Sequence, residues 1–222
     1  MKAELLGCFG GDDMVVDTAR VSFDKRADQY SSEQNANLIR YLAKNGHWSP
    51  FAHPKAQFRI HAPIFVARQW EKHRIGCVRG YDIYDHNEVS RRYVDDGLKF
   101  YYPTEWRARP GGSVKQGSGE RLLMSEQDEC DSIYASVVSA AERAYHELLD
   151  FGVAPEQARM ILPQSTYTTW IETGSLAYWA RLCLQRLDAH AQREIAELSR
   201  QIDEIMSVYF PMSWEALMGA ET

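Results

Sequence analysis

The sequence predicts an α+β fold: a single mixed domain over residues 1–222, with an antiparallel-containing sheet, helices packed on it and a helical C-terminal half. Three observations predict it. Near the N-terminus, Lys2 to Phe9 is short and apolar, and Ala56 to His61 alternates apolar with polar residues, as half-buried strands do. Beyond Met124 the chain carries helical spacing or helix-forming composition almost to its end. No internal repeat or interdomain linker divides its 222 residues, a length that can bury a full core.

The elements follow in order. Lys2 to Phe9 reads as the first strand, ended by Gly10-Gly11. Ser31-Ser32 followed by Glu33 reads as a helix start, with Leu38, Ile39, Leu42 and Ala43 at helical spacing up to Gly46. After the Ala56–His61 strand, Pro63 suits a first helical turn, and Ile64, Phe65, Ala67, Arg68 and Trp70 carry that helix to Lys72. Asn87 reads as a possible N-cap for the segment after it. Arg107 to Glu120 is rich in Gly, Ser and charge and reads as a mobile loop. Met124 to Phe151, Pro155 to Ile161, Gly174 to Arg186 and His190 to Tyr209 read as helices.

Composition excludes several classes. Lys+Arg 25 against Asp+Glu 31 gives a net charge of −6, which argues against general nucleic-acid binding, since that needs a basic face. No apolar run approaches the roughly 20 residues of a membrane helix, and MKAELLGCFGGDD lacks the apolar stretch of a signal peptide. Cys8, Cys77, Cys130 and Cys183 form no CxxC pair, so neither structural zinc nor a disulfide framework is expected. A soluble, cytoplasmic protein without a membrane partner is the expectation.

Against that acidic background, QWEKHR (Gln69 to Arg74) and NEVSRRY (Asn87 to Tyr93) gather Gln69, Lys72, His73, Arg74, Glu88, Ser90, Arg91 and Arg92. Arginine forks and lysine point charges at this density suit an anionic, phosphate-bearing ligand; a solvated, salt-bridged helix surface would use the same residues. Gln69 and His73, four apart, share a helix face. Ser90 lacks a GxSxG setting and an Asp partner, so it reads as a binding and not a nucleophilic residue. Cys77 has no neighbour that clearly lowers its pKa, and His73 has no HExxH or carboxylate cluster, so no metal is expected. A third cationic element comprises Arg159, Arg181 and Arg186, the last opening the run RLDAHAQREI. Their apolar flanks favour partly desolvated hydrogen bonds, to a ligand or to acidic neighbours such as Asp188.

These elements, in this order, resemble the flavin-dependent thymidylate synthases over nearly the whole chain. The family signature is Arg-His-Arg, seven residues, then Ser, within a pattern ending Asn-Glu-x-Ser-x-Arg-Tyr; here it reads Lys72-His73-Arg74 and Asn87-Glu88-Val89-Ser90-Arg91-Arg92-Tyr93. ARVSF (Ala19 to Phe23), HWSPFAH (His47 to His53), PIFVARQW (Pro63 to Trp70) and ARMILP (Ala158 to Pro163) match as well, and YTTWIETGSLAYWAR (Tyr167 to Arg181) looks most like phage and proteobacterial members. Two departures stand out. Lys72 keeps the charge of the first signature Arg but not its fork. Fifteen residues, Ile75 to Val89, separate Arg74 from Ser90, eight more than in the family, and the excess falls within Gly76 to His86, a loop containing Arg79, Tyr81 and Tyr84.

The resemblance implies an enzyme that uses FAD, NADPH and methylenetetrahydrofolate to convert dUMP to dTMP without a cysteine nucleophile, as a homotetramer with active sites between subunits. By position it implies dUMP contacts from Gln69, Lys72, Glu88, Ser90, Arg91, Arg92, Arg159 and Arg186. It implies FAD contacts from Lys72, His73, Arg74 and Glu88, from His47 and Ser49 of another subunit, and from Ser175 and Arg181, which stand where the family usually has Asn. Arg186 takes the catalytic role, stabilising negative charge as the uracil ring is activated. Hydroxymethylation of another pyrimidine nucleotide such as dCMP, and a non-enzymatic nucleotide-binding relative, are the alternatives.

Overall fold

The computed structural model describes residues 1–74, 86–93, 97–112 and 117–219, with the Arg74 side chain set aside. Four antiparallel strands form one sheet in the order β1 (Lys2–Phe9), β2 (Lys55–Pro63), β4 (Tyr167–Ser175), β3 (His86–Glu88). Among the described residues the helices are α1 (Asp12–Arg20), α2 (Ser32–Lys44), α3 (Ile64–Trp70), α4 (Met124–Asp150), α5 (Pro155–Ala158), α6 (Leu176–Arg186), α7 (Arg193–Tyr209) and α8 (Pro211–Met218). This is the α+β arrangement the sequence predicts.

Alternation builds the sheet. In β2, Ala56, Phe58 and Ile60 are buried between exposed or half-buried neighbours, with Ala62 buried after His61, and in β4, Thr168, Trp170, Glu172 and Gly174 are buried while the residues between are not. The register sets Ala56 opposite Gly174 and Phe58 opposite Glu172, so one face of the central pair is buried. That face joins a single core with Phe51, Trp70, Trp179, Leu182, Ile195, Ile202, Met206 and Phe210. Helix ends are fixed locally. Ser31 Oγ accepts the Gln34 amide at 3.2 Å while Gln34 Oε1 accepts the Ser31 amide at 2.9 Å, a capping box at the helix start read from Ser31-Ser32 and Glu33. At the other end of the chain, the buried Asp12 carboxylate accepts the amides of Met212 and Ser213, each at 2.9 Å, and so caps α8 from far away in sequence.

Several sequence readings change. The helix after Pro63 is α up to Trp70 and then tightens into a 3₁₀ turn, Glu71–Arg74. Asn87 caps no helix; it pairs with Ile171 inside β3. Gly174 and Ser175 end β4, and α6 starts one residue later. Helix α7 begins at Arg193, after a His190–Gln192 turn. The Arg107–Glu120 segment is more ordered at its described ends than its composition suggests: Ala108 donates to Glu120 O at 2.8 Å, Gly119 to Ala108 O at 2.9 Å and Leu122 to Trp106 O at 3.0 Å. Gln127 clamps this hairpin onto α4, accepting the Trp106 amide at 2.6 Å and donating to Trp106 O at 2.7 Å. All of the Gly76–His86 insertion except His86 lies outside the described residues, and so does Cys77.

Candidate active site

Trp70 aims the signature turn. Its indole Nε1 donates to Glu172 Oε2 at 2.8 Å and its ring packs edge-on to Trp170, which locks the end of α3 onto β4. The 3₁₀ turn that follows brings His73 inward until it is 4% exposed. There His73 Nε2 accepts a hydrogen bond from Arg186 Nε at 2.5 Å, joining the signature to the C-terminus of α6 across 113 residues. Burial, then the cations of Arg186 and Arg181, pull the imidazole pKa down to about 4, with Glu172 opposing. At neutral pH the imidazole is therefore uncharged, and an uncharged Nε2 is what an arginine donor requires.

Arg186 and Gln69 line a cavity of about 840 Å³ together with Arg107, Ser118, Leu184, Asp188 and Gln192. Its polar groups are poised toward the space. Gln69 Oε1 is buried with no hydrogen-bond partner among the described residues, and Arg186 engages His73 through Nε, which leaves its Nη edge for a ligand. Asp188, the acidic neighbour that would have bridged Arg186, accepts the His190 amide at 2.8 Å instead. Gly117 and Ser118 close one side. Gly117, with φ of +82°, sits so close that a Cβ there would lie 3.2 Å from His190 O.

Behind the cavity, Glu172 is a buried carboxylate that accepts Trp70 Nε1, Trp170 Nε1 at 3.1 Å and Tyr178 Oη at 2.5 Å, with the His86 imidazole 3.8 Å away. Burial alone would raise its pKa, but these surrounding donors outweigh that and hold it below the ordinary carboxylate value. Glu172 thus holds Trp70, ahead of the signature turn, and sits beside His86, which follows the 75–85 segment. Glu71, His86 and Glu88 bring ligand atoms within 4.8 Å of one another; Glu88 is engaged by Thr168 Oγ1 at 2.7 Å, and His86 by Glu172 and Glu71.

The sequence-derived site residues divide into two groups. Gln69, His73, Arg181 and Arg186 come together around the cavity and its wall. The Arg74 side chain lies outside the described residues, and the others do not line it. Ser90 Oγ accepts Arg92 Nε at 3.1 Å in an exposed turn that follows β3, with Arg91 half-buried beside it. Arg159 is exposed on the 3₁₀ turn after α5, donating to Glu156 O at 3.3 Å, and Lys72, His47 and Ser49 are exposed. Ser175 Oγ is occupied as the N-cap of α6, accepting the Tyr178 amide at 3.2 Å. Sequence reading missed Arg107, in the cavity wall, and Glu194, which meets its side chain at 2.8 Å, because Arg107 opens a segment with loop composition. It also missed Glu172, although period-two spacing from Trp170 does place it on a buried face. The one buried thiol among the described residues, Cys183, is pushed upward in pKa by burial and then by Asp203, and points its Sγ at Ser199 O, so it is no nucleophile.

Residues 4–212 match the family model described as thymidylate synthase complementing protein. The flavin-dependent thymidylate synthase of Thermosipho africanus is 35% identical over 214 residues, 96% of this chain and 89% of that protein. That of Thermus thermophilus is 36% identical over 212 residues, 96% of this chain and 73% of that protein. Among solved structures, the UMP/dUMP methylase PolB from Streptomyces cacaoi, bound with 5-Br dUMP, superposes with a TM-score of 0.83 at 29% identity, covering 98% of this chain and 94% of that one. With its signature turn, its α6 arginine and a full-length match in agreement, the chain belongs to the thymidylate synthase complementing protein family, that of the flavin-dependent thymidylate synthases.

Proposed function

We propose that this protein catalyses the FAD-dependent reductive methylation of dUMP to dTMP, with methylenetetrahydrofolate as one-carbon donor and NADPH as reductant, residues 1–222 acting as one catalytic domain within a cytoplasmic homotetramer. The observation that carries the reading is the Arg186 guanidinium, held through Nε by a neutral His73 and lining a cavity where Gln69 Oε1 has no partner among the described residues. A uracil ring complements that pair: its ring N–H answers Gln69, and its carbonyl oxygens answer the Nη edge of Arg186. As charge develops on the ring, Arg186 stabilises it at no cost in reorientation, because His73 has already fixed the guanidinium. Reduced flavin, when bound, supplies the hydride. The residues present fit such a group: Arg181 and His73 lie beside Arg186, and Lys72 is exposed next to them for an anionic phosphate.

Ser90, Arg91, Arg92, Glu88 and Arg159 hold the nucleotide phosphate and sugar in this proposal, and His47 and Ser49 reach FAD, from neighbouring subunits. Their position away from the Gln69–Arg186 cavity in a single chain supports an active site completed by assembly. The test combines cofactor and product. Purified protein should be yellow from non-covalent FAD and, supplied with NADPH and methylenetetrahydrofolate, should turn dUMP into dTMP as identified by mass. UMP and dCMP are offered in parallel. A protein that takes up no flavin removes the enzymatic reading; a hydroxymethyl product, or reaction with dCMP alone, replaces the product or the substrate.

A further inference from the structure

Next to the Gln69–Arg186 cavity lies a second one of about 450 Å³, and Arg107, Ser118 and Gln192 line both. The two are neighbouring chambers with a shared wall. The second is aromatic where the first is polar: Phe65, Tyr101, Trp106 and Tyr134 bound it, with Phe65 edge-on to Tyr101 at 5.7 Å and Trp106 edge-on to Tyr134 at 5.4 Å between ring centres. Tyr101 is so enclosed that burial, then the charges of Glu194 and Glu197, raise its phenol pKa to about 12.

Among the described residues, two oxygens in this slot are buried without a completed hydrogen bond: Ser165 Oγ, which leans toward the Tyr134 hydroxyl, and Glu194 Oε2, on residues 8% and 6% exposed. Glu194 Oε1 is engaged by Arg107 Nη2 at 2.8 Å, so the carboxylate is fixed in place with its second oxygen left over. The Glu194 backbone amide and Gln192 also lean toward this carboxylate, and Oε2 completes no bond with either. Burial pushes the Glu194 pKa up, but Arg107 and nearby donors outweigh it, and the group is anionic at neutral pH. An anionic acceptor and a hydroxyl in an aromatic slot call for a flat ligand that brings its own N–H donors, since a buried unmet acceptor is destabilising. The volume is that of a small-molecule subsite. A phosphate or carboxylate is disfavoured beside Glu194, which separates this chamber from the cationic one.

We propose that the aromatic chamber is a second binding subsite, for a flat heterocycle that carries an amino or primary amide group, with the NH₂ directed at Glu194 Oε2 and Ser165 Oγ and the ring against Tyr101 and Trp106. The inference rests on the proposed function, whose two co-substrates both carry such a ring: the nicotinamide carboxamide of the reductant and the amino-pterin of the one-carbon donor. Both would reach the nucleotide cavity across the shared Arg107 wall.

The test is equilibrium calorimetry on the flavin-loaded protein with probes that do not turn over: NADP⁺, tetrahydrofolate and dUMP. Ser165→Ala and Glu194→Gln are compared with the parent, Ser165→Ala serving as the variant that leaves the Arg107 pair intact. The expected result is a Kd weakened about tenfold for one of the two heterocycle probes in both variants, with dUMP affinity and flavin content of Ser165→Ala unchanged. Weakening of NADP⁺ assigns the chamber to the reductant; weakening of tetrahydrofolate assigns it to the donor. If both probes bind both variants as they bind the parent, the subsite proposal is overturned while the function stands. If dUMP and flavin fail to bind the parent, the proposed function itself has failed.

Discussion

At neutral pH the bond between Arg186 Nε and His73 Nε2 exists because the imidazole has lost its proton, and its surroundings keep it so. Burial and two arginines place its pKa at about 4 in the folded chain, against 6.5 for an ordinary histidine. Between those values the unfolded chain binds more protons than the folded one, so this group makes stability rise with pH and fall as pH drops from 6.5 toward 4. An NMR titration, with the His73 resonance assigned by His73→Asn, should show a midpoint near 4; a midpoint at the ordinary value would mean that Arg186 is not held as described. The same geometry sets the outcome for Arg186→Ala. Flavin binding should persist while turnover falls about a hundredfold or more, since a preorganised donor to a developing anion has been removed. His73 should then titrate higher, yet still below the ordinary value, because burial and not Arg186 is its larger cause. Turnover at the parent rate would make Arg186 a structural bridge.

Strand β4 shows what a single element does for the site and why part of it was hidden. Its Glu172 gathers Trp70, Trp170 and Tyr178 into one buried network that clamps α3 to the sheet, with His86 of β3 alongside. Glu172→Ala would strand three buried donors, and the expected loss is at least about 3 kcal/mol, read as a shifted urea midpoint; a loss below about 1 kcal/mol would show that water replaces the carboxylate readily. Gly174→Ala tests the next turn, because a Cβ there would lie 2.2 Å from Tyr178 Cδ1 and 3.0 Å from Trp179 Cε2. It should destabilise by about 1–3 kcal/mol through overpacking, checked in the same way; an unchanged midpoint would mean that the Tyr178 ring turns aside freely. Elements whose signal is local were legible: β1 and β2 by composition and alternation, α2 by its Ser31-Ser32-Glu33 start and helical spacing, α4 and the α6–α7 pair by helical spacing or composition. Strand β4 was hidden because its identity comes from pairing with β2 on one side and β3 on the other, and α8 because the residue that caps it is Asp12. The site divides likewise. Gln69, His73 and Arg186 were named from sequence motifs, but the bond between the last two and the Arg107–Glu194 wall depend on chain crossings that no local pattern records.

At the scale of the whole molecule, α4 stands apart. None of its residues joins the main core, and it is held by Gln127, by Tyr134 Oη donating to Tyr101 O at 2.6 Å and by its contact with α5. Along it Ile133 and Val137 are 59% and 58% exposed, and Phe151, just past its end, is 86% exposed. Apolar surface of this kind on a long helix suits an interface, and in the proposed homotetramer a second copy covers it. If assembly also brings Ser90, Arg92 and Arg159 of one copy to the Gln69–Arg186 cavity of another, two inactive variants should repair each other. Arg186→Ala and Arg159→Ala, each nearly inactive alone, would be co-expressed with different affinity tags and purified through both. Random mixing leaves about a quarter of sites with both arginines intact when each comes from a different subunit, so about a quarter of parental activity is expected. Light scattering on the same material reports the mass of the assembly. Activity no greater than that of the two variants apart, in a mixed oligomer of proven composition, would place Arg159 and Arg186 of each working site on the same chain.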